Sequence, residues 1–220
     1  MLQFYYNPVS VNARRVWVAL LEKEVPFEPI LVKLDGDQFE AEFLAINPFQ
    51  RVPVIIDAGF RVLESLAILD YLEAQYPSPA LMPQESQAIA LVRMVEMLAV
   101  NELQPATLPL TGALVGLEVA TPKLEQAHQR ITMVLQFYED LLIEERPYLV
   151  GSRLTLADIV AGTLVTALPM LGWTLDAYPR LQACSDRLSQ RESWQATTPQ
   201  PQVIAAAIPN MTKILAQRLA

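Results

Sequence analysis

The stretch NPFQRVPVIIDAGFRVLESLAILDYL, Asn47 to Leu72, decides the fold. Pro53 opens a β-favouring run that ends at Asp57, and Asp57-Ala58-Gly59 supplies a tight connector with glycine for the left-handed position. Phe60 to Leu63 then reads as the returning strand of a hairpin. Ser65 is placed to N-cap a helix from Leu66 to about Tyr76. That helix is apolar nearly all round, so cover is expected on more than one side, with the second half of the chain supplying it.

Working outward, Leu2 to Tyr6 is a short strand-like run ending at Asn7-Pro8, followed by Ala13, Val16, Trp17, Leu20 and Leu21 at helical spacing. Phe27 to Val32 returns to strand composition, which gives a βαβ opening. A short helical segment is expected near Phe39 to Ala45. Tyr76 to Ser86, YPSPALMPQES, is rich in proline and reads as a linker, so the expected division is residues 1–79 and residues 86–220. After the linker everything reads as helix: Ser86 to Leu117, Pro122 to Glu145, Leu156 to Gly172 and Tyr178 to Gln190, with breaks or kinks at Pro105 and Pro109. Gln200 to Ala220 carries a further apolar pattern after Pro209 that suits a short terminal helix. The fold class is therefore α/β followed by all-α.

In the second half, Thr155 and Asp158 have the spacing of a capping box, and Leu154 with Ile159 that of a hydrophobic staple. Both are folding devices.

Composition narrows the chemistry. The 220 residues are 52% hydrophobic, enough for a sizeable core, and their formal charge of -8 offers no positive field for nucleic acid or an anionic bilayer. The start MLQFYYNPVS is not a signal-peptide pattern and no apolar run spans a bilayer, so a cytoplasmic protein is expected. One cysteine, Cys184, excludes a CxxC redox pair, and one histidine, His128, leaves almost nothing for a metal site.

The order of elements resembles the cytosolic glutathione S-transferase family. NPFQRVPVI at Asn47 to Ile55 looks like the family's cis-proline segment, LESLAILDYL at Leu63 to Leu72 like its Glu-Ser helix start, and GSRLTLADI at Gly151 to Ile159 like its folding signature. The N-terminal half is most similar to the bacterial chi class, with a serine-type motif. The resemblance implies a thioredoxin-like glutathione-binding domain followed by an all-helical domain that contributes the pocket for an electrophile.

It also implies site residues. Composition alone has Pro53 opening a strand in trans; the family implies a cis Val52-Pro53 bond whose outward-turned Val52 backbone pairs with the peptide of glutathione. Glu64 and Ser65 would receive the γ-glutamyl carboxylate at a helix start. Where serine-type members hold glycine's carboxylate with a His-Lys pair, this chain has Gln38-Phe39, and Arg51 stands in place of a glutamine; Gln38 and Arg51 are the candidates for that end. The attacking sulfur belongs to the co-substrate glutathione, so no other cofactor is implied. Lowering its thiol pKa by two units needs about 2.7 kcal/mol, within reach of one hydroxyl and a helix start. Alignment on Pro8 and Arg14-Arg15 gives that role to Ser10, with Tyr6 as the rival and Asn12 or Arg14 as further donors.

Met94, Met97, Leu98, Leu103, Leu108 and Leu110 are apolar candidates for the electrophile's wall, although such residues are usually core. The expected activity is conjugation of glutathione to small hydrophobic electrophiles such as isothiocyanates or aryl halides, a detoxification chemistry, with peroxidase side activity and a homodimeric state. Thiol transfer is disfavoured, because Val9 to Asn12 contains no cysteine. The competing reading is a non-catalytic binding module that keeps the fold.

Overall fold

Alternation builds the first strand: β1 (Leu2–Tyr6) buries Leu2 and Phe4 on one face, while Tyr5 on the other meets Phe43 at 6.2 Å between ring centroids. A computed structural model describes residues 1–219, apart from the side chain of residue 218. Residue 220, the last of the expected terminal helix, lies outside them. The helix α1 (Val11–Glu22) returns the chain to β2 (Phe27–Leu31), which pairs parallel to β1 from Leu2↔Phe27 to Tyr6↔Leu31. A 3-10 turn (Asp37–Phe39) leads into α2 (Ala41–Ile46), slightly later than the sequence suggested.

β3 (Val54–Asp57) lies antiparallel to β1, and β4 (Phe60–Leu63) antiparallel to β3, giving the order β2-β1-β3-β4. The hairpin loop is Ala58-Gly59, at φ 48 and 82 respectively. Both residues are left-handed, so the turn is of the primed kind that matches strand twist, with alanine accepting a conformation glycine takes more easily. α3 (Ser65–Gln75) packs beside α1, and Ile68, Leu69 and Leu72 join Phe4, Val16, Leu20 and Ile55 in one core, while Val54 lies on the opposite face with Tyr5. The expectation that α3 is covered on several sides is not met: Ala67, Asp70 and Ala74 are exposed. The exposed apolar positions, Ala67 and Ala74, are both alanine, whose small side chain costs little in water.

The helical part begins with α4 (Ser86–Leu98), runs through a π-helical turn (Ala99–Leu103) and continues as α5 (Gln104–Leu114). The break falls where Pro105 lacks the N–H that Asn101 C=O would receive, and Gln104 N–H reaches back to Ala99 C=O instead. Pro109 sits inside α5. α6 (Thr121–Leu141) ends four residues earlier than expected, and its fully buried Tyr138 donates to Val95 C=O at 3.1 Å. α7 (Leu156–Val165) is buried at every position, and a separate 3-10 turn (Leu168–Leu171) takes the rest of the expected helix. α8 (Pro179–Ser189) starts at a proline, and Glu139 of α6 accepts from Arg180 N–H at 3.2 Å and Leu181 N–H at 2.7 Å there.

Two helices close the chain: α9 (Glu192–Thr197), which the sequence did not announce, and α10 (Pro201–Leu219), which begins ahead of Pro209 and contains it. The chain divides into two units, residues 1–80 with 192–205, and residues 81–191 with 206–220. A cut in the proline-rich linker would have left residues 192–205 in the second. They return to the first because α9 is bonded to α1 at both ends. Near the end of α10, a Cβ on Gly112 would stand 2.5 Å from Leu219 Cδ1, so a larger residue there would make the Leu219 side chain move.

Candidate active site

Register gathers the candidate residues. Tyr5 pairs with Val54 and Val54 with Leu63, so one step further along the strands puts Tyr6, Pro53 and Glu64 side by side. The loops after β1, after β2, before β3 and after β4 therefore share one end of the sheet. This is the end where parallel strands finish and where ligands of open α/β sheets bind.

Two Asn-Pro turns shape that end. Asn7 Oδ1 accepts from Val9 N–H at 3.1 Å, Asn7 C=O accepts from Ser10 N–H at 3.0 Å, and Asn7 Nδ2 donates to Val32 C=O at 2.8 Å. Asn47 repeats the pattern with Phe49 N–H at 3.0 Å, Gln50 N–H at 3.0 Å and Arg51 C=O at 2.7 Å. The side chain mimics a turn while proline presets the backbone of the next residue. The sequence reading missed both asparagines; the dipeptide Asn-Pro was the available signal.

Ser10 stands immediately before α1 at φ -84 and ψ 111, and its Oγ accepts from Ala13 N–H at 3.3 Å. Ser10 thus caps α1, and no described residue accepts its hydroxyl proton. Asn12 is half-buried in the first turn. Tyr6 is packed among rings, stacked on Phe4 at 5.3 Å and edge-on to Trp17 at 4.8 Å. Arg14 is only 9% exposed and donates to Thr197 and Thr198 of the returning tail. Burial brings its guanidinium down to about 10, which leaves it charged at neutral pH.

The Val52-Pro53 bond is cis, as the resemblance implied, and neither the N–H nor the C=O of buried Val52 bonds another described residue. Ser78-Pro79 is cis as well, and Pro79 C=O accepts from Lys23 at 2.8 Å. Exposed Arg51 has a guanidinium with no hydrogen bond or ion pair among the described residues. Gln38 is buried with its amide consumed locally, accepting from Gly36 N–H at 3.1 Å and donating to Leu34 C=O at 3.4 Å.

The start of α3 corrects the sequence reading. Ser65 does not cap it; Ser65 is already helical, and Glu64 stands in the cap position at φ 67 and ψ 124 with no side-chain hydrogen bond to the helix. The first bonded N–H is that of Ile68, to Glu64 C=O at 2.9 Å. A left-handed glutamate costs about 1 to 3 kcal/mol, a strain found most often where a ligand is gripped.

Elsewhere the chemistry is quiet. Cys184 is 2% exposed and burial pushes its thiol up to about 12, so it is not a nucleophile. Among the described residues no group of three histidine, cysteine or acidic side chains could hold a metal, and no helix is long and apolar enough to cross a membrane. Of the nominated apolar residues, Leu103 and Leu110 are buried in the second unit, whereas Met94 and Met97 are 50% and 44% exposed.

The first unit is thus a thioredoxin-like βαβαββα domain with a cis-proline loop at the ligand end of its sheet, followed by a helical second unit. The sequence profile described as Glutathione S-transferase, N-terminal domain, matches residues 4–80, and that of the C-terminal domain matches residues 69–192. Maleylacetoacetate isomerase of Rattus norvegicus is 33% identical over 189 residues, 84% of this chain and 86% of the relative. Human glutathione S-transferase theta-2 is 31% identical over 195 residues, 85% of this chain and 80% of the relative. A solved structure of human glutathione transferase theta-2, in complex with glutathione and an unknown ligand, superposes with a TM-score of 0.76 at 29% identity, covering 99% of this chain and 90% of that one. The chain belongs to the glutathione S-transferase family, a family of enzymes.

Proposed function

We propose that this enzyme binds glutathione at the sheet end described above and conjugates its thiolate to small hydrophobic electrophiles, with isothiocyanates and aryl halides as the first substrates to test. The observation that carries the reading is Ser10. Its oxygen is fixed by Ala13 N–H, so its proton points elsewhere, and no described residue takes it. A sulfur placed there receives one hydrogen bond that strengthens as the thiol ionises.

The peptide of glutathione pairs with the unbonded Val52 backbone beside Pro53, and its γ-glutamyl carboxylate sits at the open start of α3, at Glu64 and Ser65. Arg51 takes the glycine carboxylate; Gln38, its amide already engaged, shapes the loop instead. The role of donor goes to Ser10 over Tyr6, whose ring is held in an aromatic stack, which suits a serine-type, chi-like member. Peroxidase side activity would use the same thiolate, and the working form is a homodimer. A second reading, glutathione-dependent isomerisation, is favoured by the rat isomerase at 33% identity and shares every residue named above.

Conjugation is tested by turnover of a chlorinated dinitrobenzene with glutathione, run beside maleylacetoacetate as the isomerase substrate. In Ser10→Ala, turnover near neutral pH should fall about tenfold or more, with little change in glutathione affinity and partial recovery at higher pH. A thiolate absorbance titration with bound glutathione decides the donor. An unshifted curve in Ser10→Ala refutes the assignment, and a raised pKa in Tyr6→Phe transfers the role to Tyr6.

A further inference from the structure

α9 runs along α1 and is tied to it at both ends. Glu22, the last residue of α1, accepts from Ser193 in the first turn of α9, 171 positions away. At the opposite end, Arg14 donates Nε to Thr197 Oγ1 at 3.4 Å and Nη2 to Thr198 Oγ1 at 2.9 Å. Each threonine hydroxyl has already spent its one proton: Thr197 donates to Ser193 C=O at 2.8 Å and Thr198 to Trp194 C=O at 2.7 Å. Their lone pairs are thereby left for the guanidinium, and two acceptors side by side match its fork.

What the clasp lacks is charge. Both acceptors are neutral, so a guanidinium that is nine-tenths buried carries a full positive charge with no bonded carboxylate. Buried charges are ordinarily paired. Nη1 is neither bonded to another described residue nor sealed from solvent. Arg14 lies one turn after Ser10, its N–H bonded to Ser10 C=O at 2.9 Å, and helical side chains tilt toward the N-terminus, which carries Arg14 back over the Ser10 turn.

The other titratable groups about α1 are otherwise placed. Arg15 is fully buried on the same helix, Lys23 pairs with Glu73 of α3 at 2.7 Å, and Glu22 holds Ser193. Asp70 of α3 and Glu192 of α9 are exposed, and Tyr6 of β1 packs on Trp17. None of them is bonded to Arg14.

We propose that Arg14, clasped by Thr197 and Thr198, is a positioning residue for the reacting sulfur, its unpaired charge favouring the anionic form of the thiol held at Ser10. The assignment rests on the glutathione reading given above. It makes the tail of the chain part of the chemistry, through a helix far from the other site residues in sequence.

The test is the pH profile of kcat/KM for conjugation, with the thiolate titration of bound glutathione alongside, in wild type, Arg14→Met, Arg14→Lys, the double variant Thr197→Val/Thr198→Val, and Ser193→Ala. Removing the charge should move the acidic limb and the thiol titration upward by about half to one pH unit. Arg14→Lys should restore most of that shift. The threonine pair keeps the charge but frees its direction, so an intermediate shift is expected, and it carries the decision should Arg14→Met fail to fold. Ser193→Ala, which loosens only the far end of the seam, should lower the thermal midpoint and leave the profile where it was. Limbs and titrations unmoved in both the arginine and the threonine variants overturn the proposal while conjugation stands. A wild type that binds glutathione without turnover sinks the conjugation reading and leaves the titration to decide Arg14; one that does not bind glutathione sinks both.

Discussion

At the start of α7, Asp158 accepts from Leu149 N–H at 2.8 Å, Thr155 N–H at 2.8 Å and the Thr155 hydroxyl at 2.9 Å, all within a fully buried turn. At the start of α3, an exposed glutamate occupies the cap position in a left-handed conformation and no side chain reaches the helix. Both ends expose the same orphan N–H groups and the same positive dipole end. One supplies its own acid, and its capping box holds the second unit's central helix in place. The other stays open beside the cis-proline loop, where the proposed γ-glutamyl carboxylate would complete it. A helix start that is already satisfied has nothing to offer a ligand, so the first end serves folding alone and only the second is free for the proposed binding.

The contrast is most severely tested by emptying the sealed end. Asp158→Ala leaves two backbone N–H groups and a hydroxyl buried without an acceptor, and should cost about 3 to 5 kcal/mol in a denaturant titration. Turnover per folded molecule should not change; a stable variant lacking catalysis would place the box in the site and erase the contrast.

A pH series sharpens the same point. Burial, working against its hydrogen bonds, raises Asp158 to about 6, above its unfolded value of about 3.9. The folded state therefore holds this proton more firmly, and the associated stability, present below pH 4, is lost as pH rises through 6. The stability of wild type relative to Asp158→Asn should fall by about 1 to 3 kcal/mol between pH 4 and pH 6.5. A flat difference would mean that the carboxylate is not sealed.

At the open end the effect should be smaller and of another kind. Ser65→Ala should weaken retention on immobilised glutathione, by about fivefold, and barely alter the unfolding midpoint, because Ser65 caps nothing in the free protein. Equal retention of variant and wild type would remove Ser65 from the proposed seat. Smallest of all is Cys184→Ala, which should leave conjugation per folded molecule intact, since a thiol pushed up to about 12 takes no part. A large loss of turnover in a folded variant would contradict that.

Local signals were legible and distant ones were not. Thr155 and Asp158 could be read because a capping box lies within four consecutive residues. The hairpin at Ala58-Gly59 was legible for the same reason. Composition alone put Pro53 in trans, and only the family resemblance pointed to the cis form the structure has. Ser65 was misread because a non-glycine residue rarely turns left-handed; Glu64 does, and the helix starts one residue earlier than a serine cap would allow. α9 escaped notice because a helix of six residues carries little periodicity, and what fixes it, Arg14 and Glu22, lies at the other end of the chain. Glu139 serving the start of α8 is invisible for that reason too.

The paired Asn-Pro turns also bear on how the protein ages. Asparagine deamidates when the N–H of the following residue, once deprotonated, attacks the side-chain carbonyl to close a succinimide ring, and proline has no N–H to lose. Asn7 and Asn47, each tying a loop at the candidate-site end of the sheet through three hydrogen bonds, are both followed by proline and so are closed to that route. The two side chains whose conversion to aspartate would remove the donors to Val32 and Arg51 are therefore shielded from this spontaneous damage by the residue that shapes their turns, and prolonged storage should spare the geometry they hold.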